Sequence, residues 1–223
     1  MEWFIRSNHT EMKHLIITTA IIPEDKCLSQ LGYSYEQRML DYKNSFEYAL
    51  KFKNKFDSIT IVETVSKEKV VELEESGINV YYSKFDNSFV NKGLNEMFHI
   101  YDFLQNSSIN ENDLIIKITG RYLIKNDNIL NVRSDFIAKY DGDIYTGDRG
   151  VHTFFFGFKK MLFTEFIKLL DVRNNNYDTT CIEWLMKDFI LSKNLPILDK
   201  SYILGVITCL YSKELRRWTR VLT

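Results

Sequence analysis

The sequence predicts an α/β fold, a mostly parallel central sheet flanked by helices, with a mixed extension toward the C-terminus. Three observations predict it. Short, β-prone apolar runs alternate with segments of helical apolar spacing, in the order β-α-β-α-β-α-β up to residue 119. The runs HLIITTAII (14–22) and DLIIKIT (113–119) are apolar on both faces, as strands covered by helices on two sides must be. The chain is 223 residues long, with no Gly/Ser linker and no repeat, which suits one domain, 1–223, with a sizeable core.

Each element has its own justification. HLIITTAII reads as the first buried strand, followed by a loop carrying Pro23 and Gly32. SYEQRMLDYKNSFEYALKFK (34–53) places Met39, Tyr42, Phe46, Ala49 and Leu50 at helical spacing. Ser34 is its candidate N-cap, with Gln37 three residues on. DSITIVET (57–64) is a second strand, KEKVVELEES (67–76) a helix stopped by Gly77, and INVYYS (78–83) a third strand. A helix over NKGLNEMFHIYDFLQN (91–106) leads into the fourth strand, 113–119. DGDIYTGD (141–148) and VHTFFFGFKK (151–160) read as strands of the mixed extension. MLFTEFIKLLDV (161–172) and TTCIEWLMKDFILSK (179–193) read as helices, and LPILDKSYILGVIT (195–208) as one or two short strands.

Composition narrows the function. Net charge is −1, so no overall field draws the chain to nucleic acid or an anionic membrane. KELRRWTR near the C-terminus is locally basic; it reads as a solvated helix end, with a membrane-surface or partner contact as the minority reading. Cys27, Cys181 and Cys209 lie far apart, which suits mostly buried thiols and a reducing, cytoplasmic setting. No apolar run is long enough to span a membrane, and MEWFIRSNHTEMKH does not read as a secretory signal.

In an open α/β sheet, ligands bind beyond the carboxyl ends of the strands, where the strand order reverses. The residues at those ends are Thr18, Thr19 and Ala20, Glu63 and Thr64, Ser83 and Lys84, and Thr119, Gly120, Arg121 and Tyr122. Gly120 permits close approach of the backbone, and Arg121 supplies a planar fork of donors suited to phosphate. Lys117 shares a face with Thr119. The plain structural reading pairs Arg121 with a helix carboxylate and puts Tyr122 in the core. Lys92, Gly93 and Glu96 open a helix, where free amides favour an anion; the plain reading is an Asn91 cap with no ligand. Arg38, one turn into the first helix, could reach a phosphate, although alone it reads as a surface residue paired with Glu36 or Asp41. Glu63 is either a reader of a base or ribose or a solvated strand end.

Asp141 and Asp143 have the spacing of two carboxylates around a divalent cation, but a turn explains them equally well, as it does Asp148-Arg149-Gly150. Glu183, in CIEWLMKDF, is a candidate general base, with Asp188 its rival on the same helix. His152 reads as structural, the four histidines lack zinc spacing, and there is no GxSxG, Walker loop or GxGxxG.

Taken together, HLIITTAI, the helix YEQRMLDYKNSF, ITIVET, NKGLNE and DLIIKITGRY resemble glycosyltransferases of the GT-A type. The likeness is to small enzymes of capsule, lipopolysaccharide and giant-virus glycan assembly, in which a K-x-T/S-G-R-Y strand end recurs. It covers about residues 13–160 and is most specific in KITGRY and KGxxE. The resemblance implies a single GT-A domain, with a nucleotide-binding half over about 13–125 and an acceptor-side half over about 126–223. It implies transfer of a sugar from a nucleotide-diphosphate sugar, a UDP-sugar favoured, to a hydroxyl of a glycan, glycoprotein or lipid-linked acceptor.

By the same resemblance Thr18, Thr19 and Ala20 line the base pocket, Arg38 faces the diphosphate, and Glu63 approaches the base or ribose. Lys92, Gly93 and Glu96 frame the nucleoside side, residues 153–157 form the acceptor-side strand, and Glu183 matches the carboxylate that serves as base. Thr119, Gly120, Arg121 and Tyr122 stand where such enzymes usually carry a metal-binding Asp-x-Asp. Arg121, with Lys117 or Arg38, would then neutralise the leaving diphosphate, and a need for Mn²⁺ or Mg²⁺ stays open. The alternatives are a sugar-phosphate nucleotidyltransferase, disfavoured by the glycine-poor loop IIPEDKCLSQLGYS, and a catalytically inactive sugar-nucleotide-binding module.

Overall fold

A computed structural model describes residues 11–21, 34–124, 135–140, 151–172, 181–195, 206–212 and 217–222. The strands are β1 (Lys13–Thr19), β2 (Ser58–Glu63), β3 (Asn79–Tyr82), β4 (Leu114–Thr119), β5 (Leu123–Ile124), β6 (Phe136–Tyr140), β7 (Val151–Lys159), β8 (Val206–Ser212) and β9 (Arg217–Leu222). The helices are α1 (Tyr35–Lys51), α2 (Val71–Glu74), α3 (Lys92–Gln105), α4 (Lys160–Val172) and α5 (Ile182–Ser192). The main sheet has six strands in the order β3-β2-β1-β4-β7-β6. β3, β2, β1 and β4 are parallel, β7 runs antiparallel to β4, and β6 antiparallel to β7. The protein is therefore α/β, with a mostly parallel mixed sheet flanked by helices.

Alternation along the strands builds two cores. Leu15, Ile17, Leu114, Ile116 and Ile118 face α1, where Met39, Tyr42 and Phe46 meet them. Ile16 and Ile115 face the other way, against Leu94, Met97 and Ile100 of α3, Phe163 and Phe166 of α4, and Ile182 and Met186 of α5. Each fully buried Leu, Ile or Phe contributes about 1.5–3 kcal/mol of transfer free energy, so both helix layers are firmly attached to the sheet.

Helix ends follow the sequence closely. Ser34 Oγ accepts from Gln37 N at 3.2 Å and caps α1. Gly77 takes φ +73° after α2, a left-handed conformation that favours glycine. α2 itself is one turn, shorter than the 67–76 expected. Lys67 Nζ donates to the carbonyls of Ser83 and Phe85, and Val70 N donates to Tyr82 Oη at 2.8 Å, so the preceding segment is held against β3 and its loop instead of coiling.

Three expectations need correction. β6 lies at 136–140, a stretch to which the sequence assigns no element; the expected strand 141–148 falls outside the described residues. The second half of KELRRWTR is strand and not a helix end: Arg217–Leu222 pairs antiparallel with β8 in a second sheet ordered β5-β8-β9, and residues 213–216 lie outside the described residues. The neighbouring strand outweighs the local charge pattern there. Cys181 is exposed rather than buried. No described helix is long and apolar enough to cross a membrane.

Candidate functional site

The chain runs outward from β1 through β2 to β3, then returns to the other side of β1 as β4. Strand order therefore reverses between β1 and β4. Thr18 and Thr119 are register partners at the carboxyl ends of those two strands. This is the position at which an open α/β sheet leaves a crevice.

On the α3 and α5 side of the sheet, the strand ends carry a connected polar network. Lys117 is wholly buried. Its three ammonium protons go to Thr119 Oγ1 at 2.8 Å, Thr153 O at 2.6 Å and Glu96 Oε1 at 2.8 Å. Burial pulls the Lys117 pKa below the ordinary lysine value, and the charges of Glu96 and Glu183 oppose that pull. Glu96, one turn into α3, also accepts from Thr18 Oγ1 at 2.5 Å. Among the described residues its Oε2 has no hydrogen-bond partner, and its side chain is 21% exposed. On the far side of Lys117, Thr153 Oγ1 donates to Glu183 Oε1 at 2.9 Å. Cys181 Sγ lies 2.5 Å from Glu183 Oε2, and burial together with this contact pushes the thiol pKa up. Thr18, Glu96, Lys117 with Thr119, Thr153 and Glu183, drawn from five separate parts of the sequence, thus form one network.

On the α1 side lies a second group. Arg38 Nε donates to Ala20 O at 3.0 Å and to Tyr42 Oη at 3.1 Å. Ala20 N donates to Tyr42 Oη at 3.0 Å. Arg38 is 4% exposed, so the surface position read from the sequence is incorrect. Its Nη1 is buried and has no hydrogen-bond partner among the described residues. An unmet buried donor costs about 1–3 kcal/mol, which a ligand acceptor would recover. Burial raises the Tyr42 pKa, while the charges of Arg38 and Arg121 lower it, so both guanidinium groups act on this hydroxyl. Arg121 is half-buried. Gly120 is required here: a Cβ would sit 2.9 Å from Tyr42 Cδ1 and 3.1 Å from Thr18 O.

Several expected site residues are occupied otherwise. Glu63 is wholly buried rather than a solvated strand end. Its carboxylate accepts from Thr19 Oγ1 at 2.7 Å, Ile21 N at 3.0 Å, Val65 N at 2.8 Å and Ser66 N at 2.9 Å. It pins the turns after β1 and β2, and Thr19 is spent with it. Asn91 Oδ1 takes the amides of Gly93 and Leu94 at 2.9 and 3.3 Å. A Cβ on Gly93 would collide with Ile182 of α5, so the glycine lets two helices meet. Lys92 is exposed. It opens α3 on one face of the sheet, whereas Tyr42, on which the charge of Arg121 acts, belongs to the other face. Tyr122 stacks on Phe154, ring centroids 4.6 Å apart. Asp188 is exposed.

Sequence reasoning missed Tyr42 and Cys181. Tyr42 stands one helical turn after Arg38, a spacing that could have flagged it. Cys181 precedes Glu183 by two residues, which carries no recognisable signal. Asp141, Asp143 and Asp148 to Gly150 lie outside the described residues, as does the side chain of His152. Among the described residues no three His, Cys, Asp or Glu side chains converge as cation ligands.

No protein-family profile matches the sequence, and no curated protein matches it. Solved structures do superpose on the chain. One is a glycosyltransferase involved in glycosylation of the major capsid of PBCV-1, with 8% identity, 84% of this chain and 81% of that one covered, and a TM-score of 0.47. Another is the glycosyltransferase GlyE of Streptococcus pneumoniae TIGR4, with 11% identity, 86% of this chain covered and a TM-score of 0.49; the match spans 46% of GlyE. A third is the inositol-1-phosphate CTP transferase of T. maritima, with 10% identity, 84% of each chain covered and a TM-score of 0.45.

Proposed function

We propose that the chain is a single-domain glycosyltransferase of the GT-A kind. It would move a sugar from a nucleotide-diphosphate sugar, a UDP-sugar in the first instance, to a hydroxyl of a glycan or lipid-linked acceptor. The observation that carries this reading is the pair of carboxylates, Glu96 and Glu183, tied into one network beside the β1/β4 reversal. Glu96 is anchored through Oε1 and, among the described residues, keeps Oε2 uncommitted, which suits acceptance from a ribose or sugar hydroxyl. Glu183 takes the acceptor proton as the acceptor oxygen bonds to the anomeric carbon and the bond to the diphosphate breaks. Negative charge then grows on the departing diphosphate. The spare Nη1 of Arg38 and the guanidinium of Arg121 stabilise it from the α1 side. Lys117 has no proton left to offer and acts inside the protein. No step is assigned to a divalent cation, whose candidate ligands Asp141 and Asp143 lie outside the described residues.

The test is a panel of UDP- and GDP-sugars, with and without EDTA, assayed for release of nucleoside diphosphate. Wild-type protein is expected to turn over at least one donor. Arg121→Ala should lose on the order of 100-fold in kcat/KM with an unchanged circular dichroism spectrum. If no nucleotide sugar binds or is hydrolysed, the reading is wrong. Pyrophosphate release from a nucleoside triphosphate plus a sugar phosphate would replace it with nucleotidyl transfer. Binding without turnover would leave a binding module.

A further inference from the structure

Glu183 sits in the first turn of α5, yet what fixes its carboxylate lies mostly outside that helix. Thr153, the third residue of β7, makes two contacts, one through its backbone and one through its side chain. Its carbonyl accepts from Lys117 Nζ at 2.6 Å, and its hydroxyl donates to Glu183 Oε1 at 2.9 Å. Lys117 in turn holds Glu96. A buried ammonium with every proton committed cannot shift without breaking three bonds, so it is a rigid reference point. One side of that point is anchored in β4 and α3, the other in β7 and α5.

We propose that Thr153 is a positioning residue that orients Glu183 for proton transfer, and that Lys117 sets the position of Thr153, so that one buried cation fixes the spacing of the two carboxylates across the crevice. The inference rests on Glu183 as the base of the proposed reaction. Among the described residues, the groups facing Glu183 are the Cys181 thiol on its own helix, Thr153 on β7 and the Lys117 charge from β4, with Glu96 beyond it. Lys187 lies one turn further along α5. Without the Thr153 hydroxyl, Glu183 Oε1 loses its bond to β7, and the carboxylate can turn away from the strand. A merely structural threonine would alter stability and leave the carboxylate where it is.

The experiment compares wild type, Thr153→Val, Thr153→Ala and Thr153→Ser. The Glu183 carboxylate is located in a crystal structure of each, and kcat and donor KM are measured, with Glu183→Gln as the reference for loss of the base. In both hydroxyl-free variants the carboxylate should leave its place beside β7, and kcat should fall about tenfold with donor KM unchanged. Thr153→Ser should restore both. Having two hydroxyl-free variants guards against failure of one to fold. An unmoved Glu183 carboxylate in either folded variant overturns the positioning role. If the carboxylate moves as expected while Glu183→Gln keeps full turnover, Glu183 is positioned but is not the base, and the reaction reading needs another. If Glu183→Gln is inactive while the carboxylate stays put, the base stands and the positioning role falls.

Discussion

At the carboxyl end of β3, Asp102 Oδ2 accepts from Lys84 N at 2.8 Å and Tyr81 Oη at 3.0 Å, with the Ser83 hydroxyl 2.8 Å away. That hydroxyl is also 2.8 Å from His99 Nδ1, and it can donate to only one of the two. His99 Nε2 reaches Asn87 Oδ1 at 3.0 Å, and Asn87 Nδ2 donates to Thr64 O at 3.0 Å. His99 is wholly buried, and burial, helped by the Lys67 charge, pushes its pKa down to about 4. Burial and the hydrogen bond to Asp102 push Tyr81 up to about 12. This network is closed and built around a neutral ring. The network at the ends of β1 and β4 is different: it encloses a cation, carries two carboxylates and, among the described residues, leaves Glu96 Oε2 open. Both are buried and well connected, so neither burial nor connectivity separates scaffold from site. The difference lies in the uncommitted acceptor and in the position at the strand-order reversal.

The largest effect should come from breaking the charged network. Lys117→Met leaves Glu96 without its buried cation and should cost about 3–5 kcal/mol in urea unfolding. A loss under 1 kcal/mol would show that Lys117 is not the hub. The neutral network should reveal itself through pH. His99 has a folded pKa depressed from 6.5 to about 4, so its contribution is fully present above pH 6.5 and is lost as pH falls toward 4. Wild type should lose about 3 kcal/mol more than His99→Gln between pH 7 and pH 4. Parallel stability curves would mean that the folded His99 pKa is not depressed. Gly120→Ala, at the seam between the charged network and the α1 face, should cost about 1–3 kcal/mol by overpacking against Tyr42. Wild-type stability there would show that the strand end yields easily. The smallest effect belongs to Asp188→Asn on the exposed side of α5, within about 0.5 kcal/mol and with turnover unchanged. Loss of turnover comparable to that of Glu183→Gln would transfer the proposed base role to Asp188.

Much of the site was legible as residue types at strand ends. Thr18, Lys117 and Thr119 alternate onto one face by the two-residue period of strands, and Glu96 lies one turn into a helix whose Asn91 cap was readable. Glu63 was legible as a strand-end carboxylate but not as a buried one, because its four partners come from turns that only the packed strands bring together. Gly93 carried the signature of close approach, and the structure brings it against Ile182, 89 positions along the chain. Thr153 had no signal of its own, since nothing in a strand's sequence says which lysine will meet its carbonyl.

The sequence alone determined the alternation of strands and helices, the two-faced burial of β1 and β4 and the cap of α1, because these depend on periodicity and local hydrogen bonding. Tertiary structure decided the rest. It placed β4 beside β1 and so located the reversal, turned a basic C-terminal stretch into a strand, and enclosed Lys117 between Glu96 and Thr153. These outcomes depend on contacts between residues far apart in the chain, and local propensity cannot encode which distant partner a strand edge or a buried charge will find.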